Sequence, residues 1–155
     1  MASVWRIVRA SREKTAFTGE GPWRYGGRWN SQGVRVVYVS EHESLAALEL
    51  FVHTMPISPT ERYLSFRLVE WSDQLTEYFP LKNLPPHWNA EPPTFETMQI
   101  GDDWVRRGIS VALAVPSVLS TSEMNFLLNP KHSDFKKIKI TEPIEYRFDP
   151  RLLNR

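Results

Sequence analysis

The sequence predicts an α+β fold, a compact single domain over residues 1–155 in which a mixed β-sheet carries flanking helices. Three observations predict it. Short β-branched runs recur along the chain, only two segments carry a helical period, and the two kinds of segment do not alternate regularly as a doubly wound sheet requires. A chain of 155 residues with 41% hydrophobic residues is long enough to bury a core of its own, so one domain suffices.

The elements follow in order. Val4–Val8 (VWRIV) and Val34–Val39 (VRVVYV) are bounded by Ser, Gly and Glu and read as buried strands. Between them, Thr18–Asn30 (TGEGPWRYGGRWN) holds four of the seven glycines together with Trp23, Tyr25, Trp29, Arg24 and Arg28. Such a segment predicts an irregular loop whose backbone approaches a ligand closely. Ser40-Glu41-His42-Glu43 has the form of a capping box and predicts a helix from about Glu41 to Thr54. The helical template puts Leu45, Leu48, Val52 and Met55 on one stripe, with Glu49 on that stripe between Leu48 and Val52. A carboxylate is thereby aimed inward. Tyr63–Val69, Ser110–Val115 and Ile144–Phe148 are further strand candidates, and Phe95–Arg107 reads as a second helix with Met98 and Val105 on its buried face. The Pro-rich stretch Leu84–Pro93 is an internal loop, too short for a domain linker.

Composition narrows the chemistry. Nineteen Lys and Arg against eighteen Asp and Glu leave a net charge of +1, so no strong field exists to attract nucleic acid or an anionic membrane. No helix-turn-helix signature is present, and direct nucleic-acid binding is not expected. The N-terminal MASVWRIVRASREK lacks the apolar core of a secretory signal, and no run approaches a membrane span, so the expected location is the cytoplasm. Zero cysteines exclude disulfides, thiolate nucleophiles and cysteine-ligated metal centres. The four histidines form no HExxH pair, so no metal site is expected. GxSxG, GxGxxG and Walker patterns are also missing.

Four groups remain as candidates. Glu49 is the most informative, because a carboxylate in an apolar setting needs compensation, either by a structural ion pair or by a role in a cleft wall. Arg28, in Gly26-Gly27-Arg28-Trp29-Asn30, has glycines that clear the backbone around a planar guanidinium able to grip a diphosphate bidentately; its ordinary alternative is stacking on Trp29 or Trp23. Tyr38, near the end of its strand, is either a ligand-stacking ring or a core residue with a solvated hydroxyl. Ser117 and the segment Glu123–His132, with Asn125, combine a hydroxyl and amides that suit ribose or carboxamide ligands, or equally turn and capping chemistry.

In order along the chain, Trp5-Arg6, Gly19-Glu20-Gly21, Gly26-Gly27-Arg28-Trp29-Asn30, Val37-Tyr38, Leu48-Glu49, Gly101-Asp102-Asp103-Trp104, Val115-Pro116-Ser117, Asn125, Leu127-Leu128-Asn129-Pro130 with His132, and Phe148-Asp149-Pro150-Arg151-Leu152 resemble the RES-domain family, toxins of RES-Xre type toxin-antitoxin pairs. The resemblance covers nearly the whole chain, apart from Trp71–Thr94. It implies a fold related to ADP-ribosyltransferases, NAD bound as substrate in a cleft, and breakage of the nicotinamide-ribose bond by a glycohydrolase or phosphorylase that depletes cellular NAD. ADP-ribosyl transfer to a host protein is the alternative, and a non-catalytic nucleotide or nucleic-acid binding module is a third reading. Carried over by position, Arg28, Tyr38, Glu49 and Ser117 match the family's active-site residues, with Arg6 and Asn125 as further NAD contacts. The resemblance also implies an Xre-like antitoxin that closes the cleft; self-association, as a homodimer within a larger toxin-antitoxin complex, is expected instead from the Trp-rich composition, since such surfaces favour interfaces.

Overall fold

The computed structural model describes residues 2–54 and 56–153. Its centre is an eight-stranded mixed sheet. Strand β1 is Ala2–Arg9, β2 Val37–Ser40, β3 Tyr63–Trp71, β4 Thr76–Tyr78, β5 Ala112–Pro116, β6 Met124–Leu128, β7 Lys139–Ile140 and β8 Ile144–Tyr146. The spatial order is β4-β5-β6-β2-β1-β3-β7, with β8 also paired to β3. Only β4 and β5 run parallel; the other pairs are antiparallel. The helices are α1 Glu20–Tyr25, α2 Glu43–Thr54, α3 Phe95–Arg107 and α4 Pro150–Leu153. This is the α+β architecture expected from the sequence.

Alternation along the strands separates two faces. Val4 and Val8 of β1, Val37 and Val39 of β2, Leu64, Phe66 and Leu68 of β3 and Phe126 of β6 share one core. On the other face Ile7 meets Ala46 and Ala47 of α2, while Leu113, Val115 and Leu127 pack with Trp29 and Trp104. The central strands are therefore buried on both sides, which explains their nearly continuous apolar character.

Helix α2 begins two residues later than the capping-box pattern predicts. Glu43 becomes its first residue rather than its third, so it cannot reach back to Ser40. Its carboxylate instead accepts a 2.7 Å hydrogen bond from Ser65, and the Ser40 hydroxyl donates to Asn125. The expected apolar stripe is also corrected. Leu48 and Val52 are 47% and 49% exposed, whereas Leu45, Ala46 and Ala47 are buried; Met55 lies outside the described residues. Seven of the eight residues from Leu45 to Val52 are apolar, so the period could not choose a face. The two alanines choose it, because small side chains let the helix approach β1 closely. Glu49 then sits on the helix flank one turn from Leu45, half-buried rather than within an apolar stripe.

Helix α3 spans the predicted residues, but its buried residues are Thr97, Gly101 and Trp104, with Met98 and Val105 at the margins. Strands β4, β6 and β7 were not anticipated. In β6 the polar Asn125 and the flanking Ser and Asn residues suggested a turn, yet Met124, Phe126 and Leu128 alternate onto one face as a strand requires. The glycine-rich loop gains the single short helix α1, entered through Gly19 and left through Gly26, whose φ values of 75° and 71° lie in the left-handed region.

Gly101 decides how α3 meets that loop. A Cβ at this position would lie 1.7 Å from the Trp29 carbonyl oxygen, so the helix rests directly on loop backbone. Asp102 adds a 2.9 Å hydrogen bond from the Ser31 amide. In an exposed helix interior Gly→Ala stabilises by about 1 kcal/mol. Here the sign is expected to reverse: Gly101→Ala should lower stability by about 1–3 kcal/mol, as overpacking against rigid neighbours does. Chemical denaturation of the variant beside the parent protein checks it, and a stabilised variant would contradict this packing.

Candidate functional site

Glu49 is held by two groups from the neighbouring strands. Its Oε1 accepts from Ser117 Oγ at 3.1 Å and from Asn125 Nδ2 at 2.8 Å. Ser117 follows β5 directly and is completely buried, while Asn125 lies in the adjacent β6. The Ser117 oxygen also accepts from the amides of Leu119 at 3.1 Å and Ser120 at 3.2 Å. With both acceptor directions taken by backbone, its one proton points to Glu49. Both partners act on one carboxylate oxygen, Oε1, of a side chain that is half-buried. Glu49 thus has hydrogen-bonding compensation rather than the ion pair considered from the sequence. Ser117 is in turn committed to the carboxylate rather than free to hold a ribose.

Tyr38 stands next to this group in a different environment. Its hydroxyl donates to Asn30 Oδ1 at 2.6 Å and accepts from the Trp29 amide at 3.2 Å. Burial pushes its pKa well above the ordinary phenol value, the Trp29 amide opposes the shift, and the charges of Asp102, Arg28 and Glu49 act in smaller measure. Tyr38 is therefore a neutral phenol at physiological pH, which removes it as a general base. Gly27 fits against that hydroxyl, where a Cβ would come within 2.8 Å.

Asn30 is a hub that sequence reading did not single out. It is fully buried. Its Nδ2 reaches the carbonyls of Pro22, Ser31 and Val34 at 2.9, 3.2 and 3.1 Å, while its Oδ1 receives Tyr38. One side chain thereby ties the end of α1, the following turn and β2 into a single body. The signal was present only as the last letter of GGRWN, where an amide among glycines reads as a turn former.

Arg28 leaves this loop and meets the segment before α3. Its Nη1 donates to the carbonyls of Trp88 at 3.0 Å and Ala90 at 2.7 Å, and its Nη2 pairs with Glu91 Oε2 at 3.1 Å. The Trp88 ring leans on Trp29, with centroids 6.4 Å apart. The guanidinium is 15% exposed and Glu91 79%, so one of its partners is a carboxylate in open solvent. The stretch 71–94, which the family resemblance leaves unmatched, is therefore in part the cover over Arg28.

Arg6 is a correction. Strand alternation puts Trp5 and Ile7 towards the α2 side and Arg6 with Val4 and Val8 on the opposite face, away from Glu49. Its Nε donates to the Ala16 carbonyl at 2.6 Å and its Nη1 to the Tyr38 carbonyl at 2.9 Å. Burial lowers its pKa to about 10, and it remains charged at neutral pH. Arg6 fastens the entrance of the loop to the sheet instead of lining the cleft.

Among the described residues no group of three or more His, Asp or Glu side chains is arranged to hold a metal ion, and no helix is long and apolar enough to cross a membrane. What the arrangement offers is a half-buried carboxylate with one oxygen held by two donors, a buried phenol and a loop-bound guanidinium. Such a set suits a ligand that carries hydroxyls and an anionic group.

Comparison with known proteins gives this cleft a family. The RES domain model matches residues 3–149. The chain is 35% identical over 150 residues to "Toxin Res" of Yersinia enterocolitica, covering 96% of this chain and 98% of that protein. It is 36% identical over 159 residues to "Prs ADP-ribosylating toxin" of Sphingobium sp. strain YBL2, covering 99% and 98%. Among solved structures, a chain of the M. tuberculosis MbcT-MbcA toxin-antitoxin complex superposes with a TM-score of 0.69 over 94% of this chain and 84% of that one; at 14% identity this likeness concerns the fold. With a full-length domain match and relatives above a third identical across their whole length, the chain belongs to the RES-domain toxin family.

Proposed function

We propose that this protein is the toxin of a toxin-antitoxin system and that it binds NAD and cleaves its nicotinamide-ribose bond. The observation that carries the reading is the half-buried Glu49 carboxylate, with Oε1 fixed by Ser117 and Asn125. Nicotinamide leaves a cationic pyridinium as a neutral ring, so no general acid is required and one carboxylate suffices, unlike the paired carboxylates of glycosidases. Glu49 would bind a ribose hydroxyl and stabilise the oxocarbenium-like centre as the bond breaks. The bonding electrons go to the nicotinamide nitrogen. Water then supplies the oxygen at the ribose carbon and releases a proton, giving ADP-ribose; inorganic phosphate in its place gives the ribose 1-phosphate product.

The roles of the remaining residues follow from their partners. Ser117 and Asn125 orient Glu49, and the Tyr38 ring forms part of the cleft wall. Arg28 would take the diphosphate by exchanging the Glu91 carboxylate for a phosphate oxygen of similar geometry. The name of the Sphingobium relative supports a second reading, transfer of ADP-ribose to a protein side chain, in which the same carboxylate serves and only the acceptor differs. The toxin-antitoxin complex found as fold neighbour supports an antitoxin partner, for which an Xre-like protein covering the cleft is our proposal, together with a toxin homodimer within the complex.

Incubation of the purified protein with NAD, with and without phosphate, followed by chromatography of nicotinamide and the sugar product, tests the reading. Glu49→Gln should lower kcat by a factor on the order of 10² or more, the scale of one lost transition-state contact, while the thermal transition stays near that of the parent. Intact NAD under both conditions would refute cleavage by water or phosphate, and labelled NAD with candidate protein acceptors would then test transfer. Glu91→Gln removes only the exposed competitor for Arg28. It should lower KM for NAD by about 1.5- to 5-fold, the worth of a surface ion pair, with kcat within about twofold of the parent. A raised KM would show instead that Glu91 helps to hold the substrate.

A further inference from the structure

Behind Glu49 and Asn125 lies a third residue. The Ser40 hydroxyl, buried at 4% exposure, sits 2.7 Å from Asn125 Oδ1, and Asn125 Nδ2 sits 2.8 Å from Glu49 Oε1. The three side chains form one line from the end of β2 through the middle of the sheet to the cleft. Strand register brings the first two together: Ser40 and Asn125 are directly opposed in the β2–β6 pair, and Ser40 is opposed to Trp5 on its other side.

We infer that Ser40 is a positioning residue for Glu49, acting by fixing which end of the Asn125 amide faces the carboxylate. The inference rests on the proposed role of Glu49 in the cleft. Its logic is one of donors and acceptors. An ionised carboxylate only accepts, so Asn125 must present its NH2 end to Glu49 and its carbonyl to the opposite side. The carbonyl then needs a donor in a buried place, and the one proton of Ser40 supplies it. Without that proton a half-turn of the amide plane is opposed by the carboxylate alone. The amide is then less firmly held, and the hydrogen bond by which Asn125 fixes Glu49 Oε1 is weakened. Ser117 cannot compensate, because its acceptor sites are held by the Leu119 and Ser120 amides and its single proton already points to Glu49. The two branches on Glu49 share one feature: in each, a second hydrogen bond behind the donor holds an acceptor oxygen and turns a proton towards the carboxylate.

The test combines kinetics with a direct view of the amide. In Ser40→Ala, kcat for nicotinamide release should fall about tenfold, as loss of a supporting hydrogen bond behind a functional ligand does, with KM within about twofold. In an Asn125→Ala background the same Ser40 change should cost little more, because nothing remains to be oriented. Additive losses would overturn the proposal in favour of a general packing role. Independently of turnover, the Asn125 side-chain NH2 resonances in a 15N-labelled sample should be two distinct signals in the parent protein and should shift or broaden in Ser40→Ala; unchanged signals would overturn it. If Ser40→Ala does not fold, Ser40→Cys, whose thiol is a weaker donor of similar shape, is read in the same two ways. A parent protein that leaves NAD intact refutes the proposed reaction, and the resonances alone then decide the role of Ser40.

Discussion

The pairing of β2 with β6 is the constraint on which the cleft depends. Its register sets Val37 opposite Leu128, Tyr38 opposite Leu127, Val39 opposite Phe126 and Ser40 opposite Asn125. Alternate residues serve different ends: Val37, Val39, Phe126 and Leu128 enter one core, while Tyr38, Ser40, Asn125 and Leu127 face the side that carries α2 and the glycine-rich loop. A slip of one residue would exchange these sets and bury the polar groups in the first core. The same apolar alternation that stabilises the sheet therefore also aligns the amide and hydroxyl behind Glu49. Site and core are specified by one pattern.

Around this fixed pair the loop 18–30 is held by contacts that leave little slack. Asn30 joins three carbonyls and the Tyr38 hydroxyl, Gly27 fits under that hydroxyl, and Gly101 of α3 rests on the Trp29 carbonyl. Each contact is between backbone or buried polar groups, which cannot shift cheaply to admit extra atoms. A loop held in this way is preorganised, and the associated ordering cost falls on folding. The exception is the Arg28–Glu91 pair, where a solvated carboxylate is exchangeable.

The two arginines of the sequence motifs illustrate how burial sorts like residues. Arg6 donates to one carbonyl of β2, that of Tyr38, and to the Ala16 carbonyl before the loop, and is retained as a buried cation by those dipoles, with its pKa drawn down towards 10. Arg28 also donates to two carbonyls but keeps one edge for a carboxylate at the surface. Arg6 is a fastener, whereas Arg28 bridges its loop to the segment before α3 and keeps a partner that stands in solvent.

The sequence by itself determined the fold class, the limits of α3 and the positions of β1, β3 and β5, because these rest on local periodicity and on Gly and Pro punctuation. It also singled out Glu49, Ser117 and Asn125, which the structure brings together from 68 and 76 residues apart. Only the tertiary structure decided the face of α2, since a helix apolar nearly all round carries no directional signal until Ala46 and Ala47 meet β1. It alone placed Arg6 on the far side of the sheet and put Glu91 against Arg28. Ser40 was legible only as a cap and Asn30 only as the last residue of GGRWN, because a short polar side chain reads from its chain neighbours. Their partners, at the other end of a strand pairing or across a loop, exist only once the chain has folded, and a hydrogen bond has no local periodicity from which to be inferred.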